Sequence, residues 1–222
     1  MNKLPSNFRG LRTTGHNLSE VKRIGEWLWP RSDERCAAFT WKRLPDLDQA
    51  LRNVERFGVC VQAGGNTGVW PAVLADRFDA VYTFEADPLN FRCLAANVQQ
   101  ENVFKFNAAL GNKRGCVDME RTLNCGAHQI SGFGRIPTLR IDDLELPACD
   151  FLQLDIEGYE YFALQGGEVT IMKYKPVIMV EVKGKAKRYG IDGENAKALL
   201  ESWGAKLLFN VNADWVYAWP SK

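Results

Sequence analysis

The stretch 58-GVCVQAGGNTGVWPAVLADRFDAVYTFE-85 decides the fold. Its apolar run from Val59 to Val61, bounded by turn residues, predicts a buried strand over 58–63. Glycines follow at 64, 65 and 68, where a chain leaving a strand for a helix brings bare backbone N–H groups close to a ligand. A helix is expected from about 69 to 78, with Pro71 in the first turn, where a missing N–H is tolerated. A second strand, 80–84, then runs into Glu85. A strand, a helix and a strand in that order predict a parallel sheet.

The alternation extends in both directions. Upstream, Leu47, Ala50, Leu51, Val54 and Phe57 recur at three- and four-residue steps, so an amphipathic helix is expected over 45–57. Downstream come a helix over 88–99 opened by Pro88, a strand over 102–106, a strand in CDFLQLD and a helix in EYFALQGGEVTIM. KPVIMVEV reads as a strand, GENAKALLESWG as a helix ended by its glycine, and KLLFNV with DWVYAW as a closing antiparallel hairpin. Residues 112–140 break the pattern and are expected to form a hairpin or a long insertion over the sheet edge. Residues 1–44, rich in Arg and Trp, carry no sustained period and are expected to be an arm or cap before one domain over 45–222. Trp27, Trp29, Arg31, Arg35 and Trp41 would either cover a cleft or, more commonly for tryptophans, pack on the flank of the fold. No internal repeat or low-complexity linker divides the rest.

Composition bounds the function. A chain of 222 residues with 46% hydrophobic side chains can bury an ordinary core. Lys and Arg number 28 against 27 Asp and Glu, so no global field recommends nucleic acid or an anionic membrane as partner. The segment MNKLPSNFRGLRTTG lacks the apolar core of a secretion signal and no stretch reaches the ~20 apolar residues of a membrane span, so a cytoplasmic protein is expected. Six scattered cysteines without a C-x-x-C pair read as reduced, packed thiols. With only His16 and His128, a histidine-built zinc site or a Ser-His-Asp triad has few parts. His128 reads as a surface-loop residue, and Lys183, Lys185, Lys187 and Arg188 as a solvated loop, with a lesser chance of holding an anionic acceptor.

The glycine loop has several possible ligands. A phosphate-binding P-loop would need G-x-x-x-x-G-K-[ST], and no lysine follows Gly68. A dinucleotide site would want G-x-G-x-x-G, which is absent, although Glu85 stands 21 residues past Gly64 as a ribose-binding acid would. S-adenosylmethionine has the ribose diol for such an acid and an amino-acid end in place of phosphates, which suits the relaxed glycine spacing. The plainer reading makes Glu85 a cap for the helix near Pro88.

The runs VQAGGNTGVWPAVLA, VYTFEADPLNFRCLAANV, NAALG, TLRIDDL, DFLQLDIEGYEYFALQGG and KPVIMVEV together resemble the FkbM family of S-adenosylmethionine-dependent methyltransferases over roughly 58–183. The resemblance implies an α/β, Rossmann-like class I methyltransferase fold, with a mostly parallel seven-stranded sheet, helices on both faces and a C-terminal antiparallel hairpin. It also implies O-methylation of hydroxyls on sugars or natural products. By position, Gly64, Asn66 and Gly68 match the family's glycine loop, Glu85 its ribose acid, and Asp155, Glu157 and Gly158 its D-V-E-G. The cofactor set it implies is Gln62, Gly64, Gly65, Asn66, Gly68, Glu85, Ala86, Asn107, Ala108 and Asp155. This chain departs from the pattern at Gln62 in place of an acid, Gly65 in place of alanine, and Ala86-Asp87 before the proline. A glutamine carbonyl can still accept a hydrogen bond from the cofactor's amino group.

Methyl transfer is an in-line displacement, so alignment alone can supply up to ~7 to 11 kcal/mol and no covalent nucleophile is needed. A hydroxyl acceptor gains about 10² to 10⁴ from a base, for which Asp155, Glu157 and Glu181 are the candidates at the strand ends. The plainer reading has Asp155 and Glu157 cap the next helix. The same acids offer hard oxygens to a divalent metal, which no spacing demands. A glycan or small-molecule acceptor is expected. The rival readings are a binding module without turnover, encouraged by Gln62, and, behind it, an NAD-dependent enzyme.

Overall fold

The computed structural model describes residues 20–220; residues 1–19, including His16 and the first part of the expected arm, lie outside the described residues. What is described of residues 20–44 begins with a hairpin, β1 (Val21–Ile24) and β2 (Trp27–Pro30), and continues through α1 (Cys36–Thr40) and a 3-10 turn, Trp41–Arg43, into α2 (Leu44–Leu51).

The expected strands follow: β3 (Val59–Ala63), β4 (Ala80–Phe84), β5 (Val103–Phe106), β9 (Phe151–Leu154), β10 (Val177–Glu181), β11 (Lys206–Val211) and β12 (Asp214–Ala218). They form one seven-stranded sheet in the order β11-β12-β10-β9-β3-β4-β5. β12 alone runs against the other six, so the C-terminal pair is the expected antiparallel hairpin added to a parallel sheet. Helices α3 (Val69–Ala75) and α4 (Pro88–Asn97) cover one face with α2, and α5 (Glu160–Gln165), α6 (Glu168–Tyr174) and α7 (Gly193–Ser202) cover the other. Period-two alternation in β3 sends Val59, Val61 and Ala63 to the α5–α7 side and Cys60 to the α2–α4 side, all buried. This is the Rossmann-like doubly wound arrangement.

Residues 112–140 supply two strands, β7 (Gly115–Glu120) and β8 (Gln129–Leu139), an antiparallel hairpin that joins β6 (Ala109–Leu110) in a second sheet of three strands. The expected hairpin is therefore present.

Four helices differ from the sequence reading. The periodic run to Phe57 ends as a helix at Leu51, because the Asn53 amide donates to the carbonyls of Gln49 and Ala50 and closes the last turn. Val54 and Phe57 still pack into the core from the irregular chain that follows. The run EYFALQGGEVTIM is two helices, broken at Gly166-Gly167, where a Cβ on Gly166 would lie 1.9 Å from the Gly111 carbonyl oxygen. The helices expected over 69–78 and 88–99 also stop early, at Ala75 and Asn97.

Candidate active site

The strand order reverses between β3 and β9, and ligands of open α/β sheets lie in the crevice off the strand ends at such a point. Here the chain leaving β3 crosses the chain leaving β9 at contact distance. A Cβ on Gly64 would sit 1.9 Å from the Asp155 carbonyl oxygen, and Gly64 has φ +85°, so only glycine fits on both counts. Over this crossing opens a cleft of about 330 Å³.

Glu85 stands at one end. Its Oε2 accepts from Asn66 N at 2.7 Å and its Oε1 from Asp87 N at 2.7 Å, so the acid links the glycine loop to the turn after β4. Burial pushes its carboxyl up to about 8 against those two backbone donors. The capping role belongs to Asp87, whose Oδ1 accepts from Leu89 N and Asn90 N at the start of α4. Each Glu85 oxygen keeps further acceptor capacity, as a ribose diol requires. Beside it Asn90 lines the cleft with its Oδ1 unpartnered among the described residues, a buried acceptor to which a ligand N–H or O–H would bond.

Asp155, Glu157 and Glu181 stand at the other end, with one carboxylate oxygen from each within 4.8 Å of the others. Lys183 pairs with Glu181 and Lys185 with Glu157. The half-buried Lys183 and Lys185 therefore do not belong to a solvated loop; Lys187 is exposed and Arg188 pairs with Glu120. Burial and then the Asp155 charge hold Glu181 well above the ordinary carboxylate range. Burial alone would lower Lys183, but Glu181 and Asp155 outweigh it and its pKa is raised. Burial lowers Lys185. Asp155 has no ion pair or side-chain hydrogen bond among the described residues, and neither it nor Glu157 caps α5. Glu160, the first residue of α5, instead fastens the turn ahead of the helix, its Oε1 accepting from Ile156 N and Gly158 N. The acids are of the kind a divalent cation takes, but two of the three already hold ammonium groups.

Of the residues expected to meet a cofactor, Gly64, Asn66, Glu85, Ala86, Ala108 and Asp155 line the cleft, as do Glu157 and Glu181. Gln62, Gly65, Gly68 and Asn107 do not line it. Gln62 is buried in β3 and its Oε1 accepts from Thr83 Oγ1, because the side-chain alternation of the strand turns it into the sheet's α2–α4 face. Gly65 and Gly68 face Leu94, Thr83 and Val98 of the interior, and the Asn107 amide is occupied by the carbonyls of Glu85 and Ala86.

The opposite wall comes from segments without a periodic signal. Phe39, Thr40 and Arg43 reach the cleft from residues 20–44, and Met119, Cys125 and His128 from the insertion. His128 is accordingly a half-buried wall residue, its Nδ1 accepting from Thr122 N at 3.1 Å, and burial lowers its pKa. Asp33 joins the two segments: its Oδ1 accepts from both Cys36 N and Cys125 N. The tryptophans of residues 20–44 pack on the flank, with Trp29 fully buried against Trp41 at 5.3 Å between ring centroids. Two non-glycine residues at the cleft, Asn66 at φ +48° and Glu157 at φ +60°, hold left-handed backbone; Asn tolerates this, while Glu157 is kept there with its ion pair to Lys185.

Among the described residues no helix is long and apolar enough to cross a membrane. No curated protein sequence matches the chain. Among solved structures it is similar to the methyltransferase FkbM from Methylobacillus flagellatus KT, at 18% identity and a TM-score of 0.49 over 74% of this chain, and spans 44% of the length of that protein. It is also similar to the N-methyltransferase NodS from Bradyrhizobium japonicum WM9, at 9% identity and a TM-score of 0.49, over 83% of this chain and 98% of that one. A SAM-dependent methyltransferase from Aquifex aeolicus gives 13% identity and a TM-score of 0.47, over 84% and 93%. Residues 62–207 match the profile of the methyltransferase FkbM domain, from Gln62 to the start of β11, and with about two thirds of the sequence inside that match the chain belongs to the FkbM methyltransferase family.

Proposed function

We propose that the chain is an S-adenosylmethionine-dependent methyltransferase that methylates a hydroxyl on a sugar, a glycan or a related small molecule. The observation that carries this reading is a single cleft at the switch point that has the buried Glu85 at one end and the unpaired Asp155 at the other. The donor set fits S-adenosylmethionine: Glu85 for a diol, the unpartnered Asn90 Oδ1 for a further polar hydrogen, and the strand-end loops at Gly64 and Asp155 for the amino-acid end.

When bound, S-adenosylmethionine supplies a methyl group on a sulfonium, already activated toward displacement. The protein's contribution is placement and proton handling. Gly64 and the crossing with Asp155 fix the floor, so ligand and acceptor are held against rigid backbone. Asp155 is the residue we assign as base, since Lys185 and Lys183 occupy Glu157 and Glu181 and leave Asp155 able to take the hydroxyl proton. The Lys183 and Lys185 charges keep a carboxylate-rich floor from repelling that negative charge. Phe39, Met119 and Ile130 give the wall an apolar surface that excludes water from the acceptor side.

Calorimetry with S-adenosylmethionine and S-adenosylhomocysteine, run beside Glu85→Ala, tests the cofactor. Heat for the wild type and its loss in the variant are expected, and absence of heat for both ligands refutes the proposal. Binding of NADH in their place would favour a dehydrogenase. Transfer of a labelled methyl group to glycan or small-molecule fractions tests the acceptor, and label found only in protein or nucleic acid would remove the sugar assignment. Gln62 lends little support to a binder without turnover, because its amide is engaged inside the sheet.

A further inference from the structure

Cys36 and Cys125 come from segments 89 positions apart in sequence, yet the structure brings them together in every respect that matters for bonding. Their backbone N–H groups donate to the same oxygen, Asp33 Oδ1, at 3.1 and 3.2 Å, which holds the two backbones side by side. Their sulfurs lie within 4.8 Å of each other and share one amide: Asn66 Nδ2 donates to Cys36 Sγ at 3.0 Å, and Cys125 Sγ donates to Asn66 Oδ1 at 3.3 Å. Both line the cleft, Cys36 with 8% and Cys125 with 2% of its surface exposed. Asp33, the one further ligand within reach among the described residues, has its oxygens taken up by backbone N–H groups of Cys36, Ala37 and Cys125, which argues against the four-coordinate site a thiophilic metal would want.

We propose that Cys36 and Cys125 form a reversible disulfide in the cleft wall, with a hydroperoxide as oxidant. The Cys36 thiolate attacks one peroxide oxygen, breaking the O–O bond and forming a sulfenic acid, and the departing oxygen leaves as water or an alcohol. Cys125 then attacks the Cys36 sulfur, the S–O bond breaks, and water leaves as the S–S bond forms. Two thiols and one peroxide give one disulfide and two hydroxylic products, the sulfurs losing the two electrons that the O–O bond gains. The Cys36 thiol is lowered from its ordinary value, first by the hydrogen bond from Cys125 and then, against burial, by Thr40 and Asn66, which suits it to attack.

Disulfide formation removes both sulfur partners of Asn66, whose backbone N–H holds Glu85. Oxidation would therefore weaken the cleft's hold on S-adenosylmethionine, a consequence that rests on the function proposed above, whereas the linkage itself does not.

The test uses the full chain. After treatment with hydrogen peroxide and blocking of free thiols, non-reducing mass spectrometry should find the tryptic peptides 36–42 and 122–135 joined, two hydrogens lighter than their sum, and separated again by dithiothreitol. Cys36→Ser and Cys125→Ser should each abolish the joined species, and Cys116→Ser, at an exposed thiol, should leave it. Affinity for S-adenosylmethionine should fall by roughly fivefold or more on oxidation and recover on reduction. Free peptides 36–42 and 122–135 in wild type while Cys116 is oxidised would overturn the proposal, as would a stoichiometric metal ion held by both thiols. Linkage without S-adenosylmethionine binding in either state would uphold the disulfide and refute the cofactor reading. Linkage with equal affinity in both states would refute the coupling.

Discussion

The cleft has two sides of different construction. Its floor is made by the ends of β3, β4, β9 and β10, where side chains such as Glu85 are fixed by backbone N–H groups of neighbouring turns. Its wall is made by residues 36–43 and the insertion, joined through Asp33 and two cysteines. The floor is rigid, periodic and rich in charge; the wall is irregular, aromatic and thiol-bearing. Under the function proposed above, the difference assigns cofactor and proton transfer to one side and the choice of acceptor to the other.

Four experiments press on that division. Asp155→Asn should lower kcat by about 10² to 10⁴ while S-adenosylmethionine affinity stays within about threefold, as measured by methyl transfer beside calorimetry. A loss confined to affinity would move the base elsewhere on the floor. Glu85→Ala should weaken S-adenosylmethionine by roughly 10- to 100-fold, the size of a lost hydrogen bond to a charged group. Phe39→Ala, on the wall, should raise KM for the acceptor by roughly threefold to tenfold and leave cofactor affinity unchanged. If it costs as much cofactor affinity as Glu85→Ala, the two sides are not separate.

The smallest effect concerns pH. Glu160 and Asp214 are pushed up to about 7, and Glu85 to about 8, in each case first by burial. Folded values above the unfolded ones mean that the native state binds more protons between them, so the stability they contribute is complete below about pH 4 and lost as pH rises through 7 to 8. The melting temperature should drop by a few degrees between pH 5.5 and 8.5, followed by calorimetry. Cofactor affinity should rise over the same window as Glu85 ionises, so the floor binds best where it is least stable. A melting temperature that climbs across that range would contradict this account of the floor.

The sequence made the floor legible because its signals are local. Alternation placed β3 and β4, and the offset from Gly64 to Glu85 marked the acid. At Gln62 two signals point in different directions. Resemblance puts it at a cofactor position, while strand alternation turns its side chain onto Thr83. The wall was hidden because no period links Cys36 to Cys125, or Phe39 to His128; they meet only through tertiary packing and one shared carboxylate. Lys183 and Lys185 looked solvated because nothing local to the chain pairs Lys185 with Glu157 across the Gly158 turn.

Arg43 bonds both Asp46 beside it and Asp214, 171 residues later, and Asp214 stands opposite Glu181 in the ladder of β10 and β12. That arrangement implies an order of assembly. Two acids facing each other in neighbouring strands oppose the seating of β12 on β10, and they are offset by Lys183 beside Glu181 and by Arg43 from the segment ahead of the sheet. The parallel core can condense first, but Arg43 of the cleft wall is fixed only when the segment ahead of the sheet meets the last strand. A nascent chain lacking its final strands would therefore carry Glu85, Asp155 and Glu181 but leave Arg43 of the wall without its distant partner.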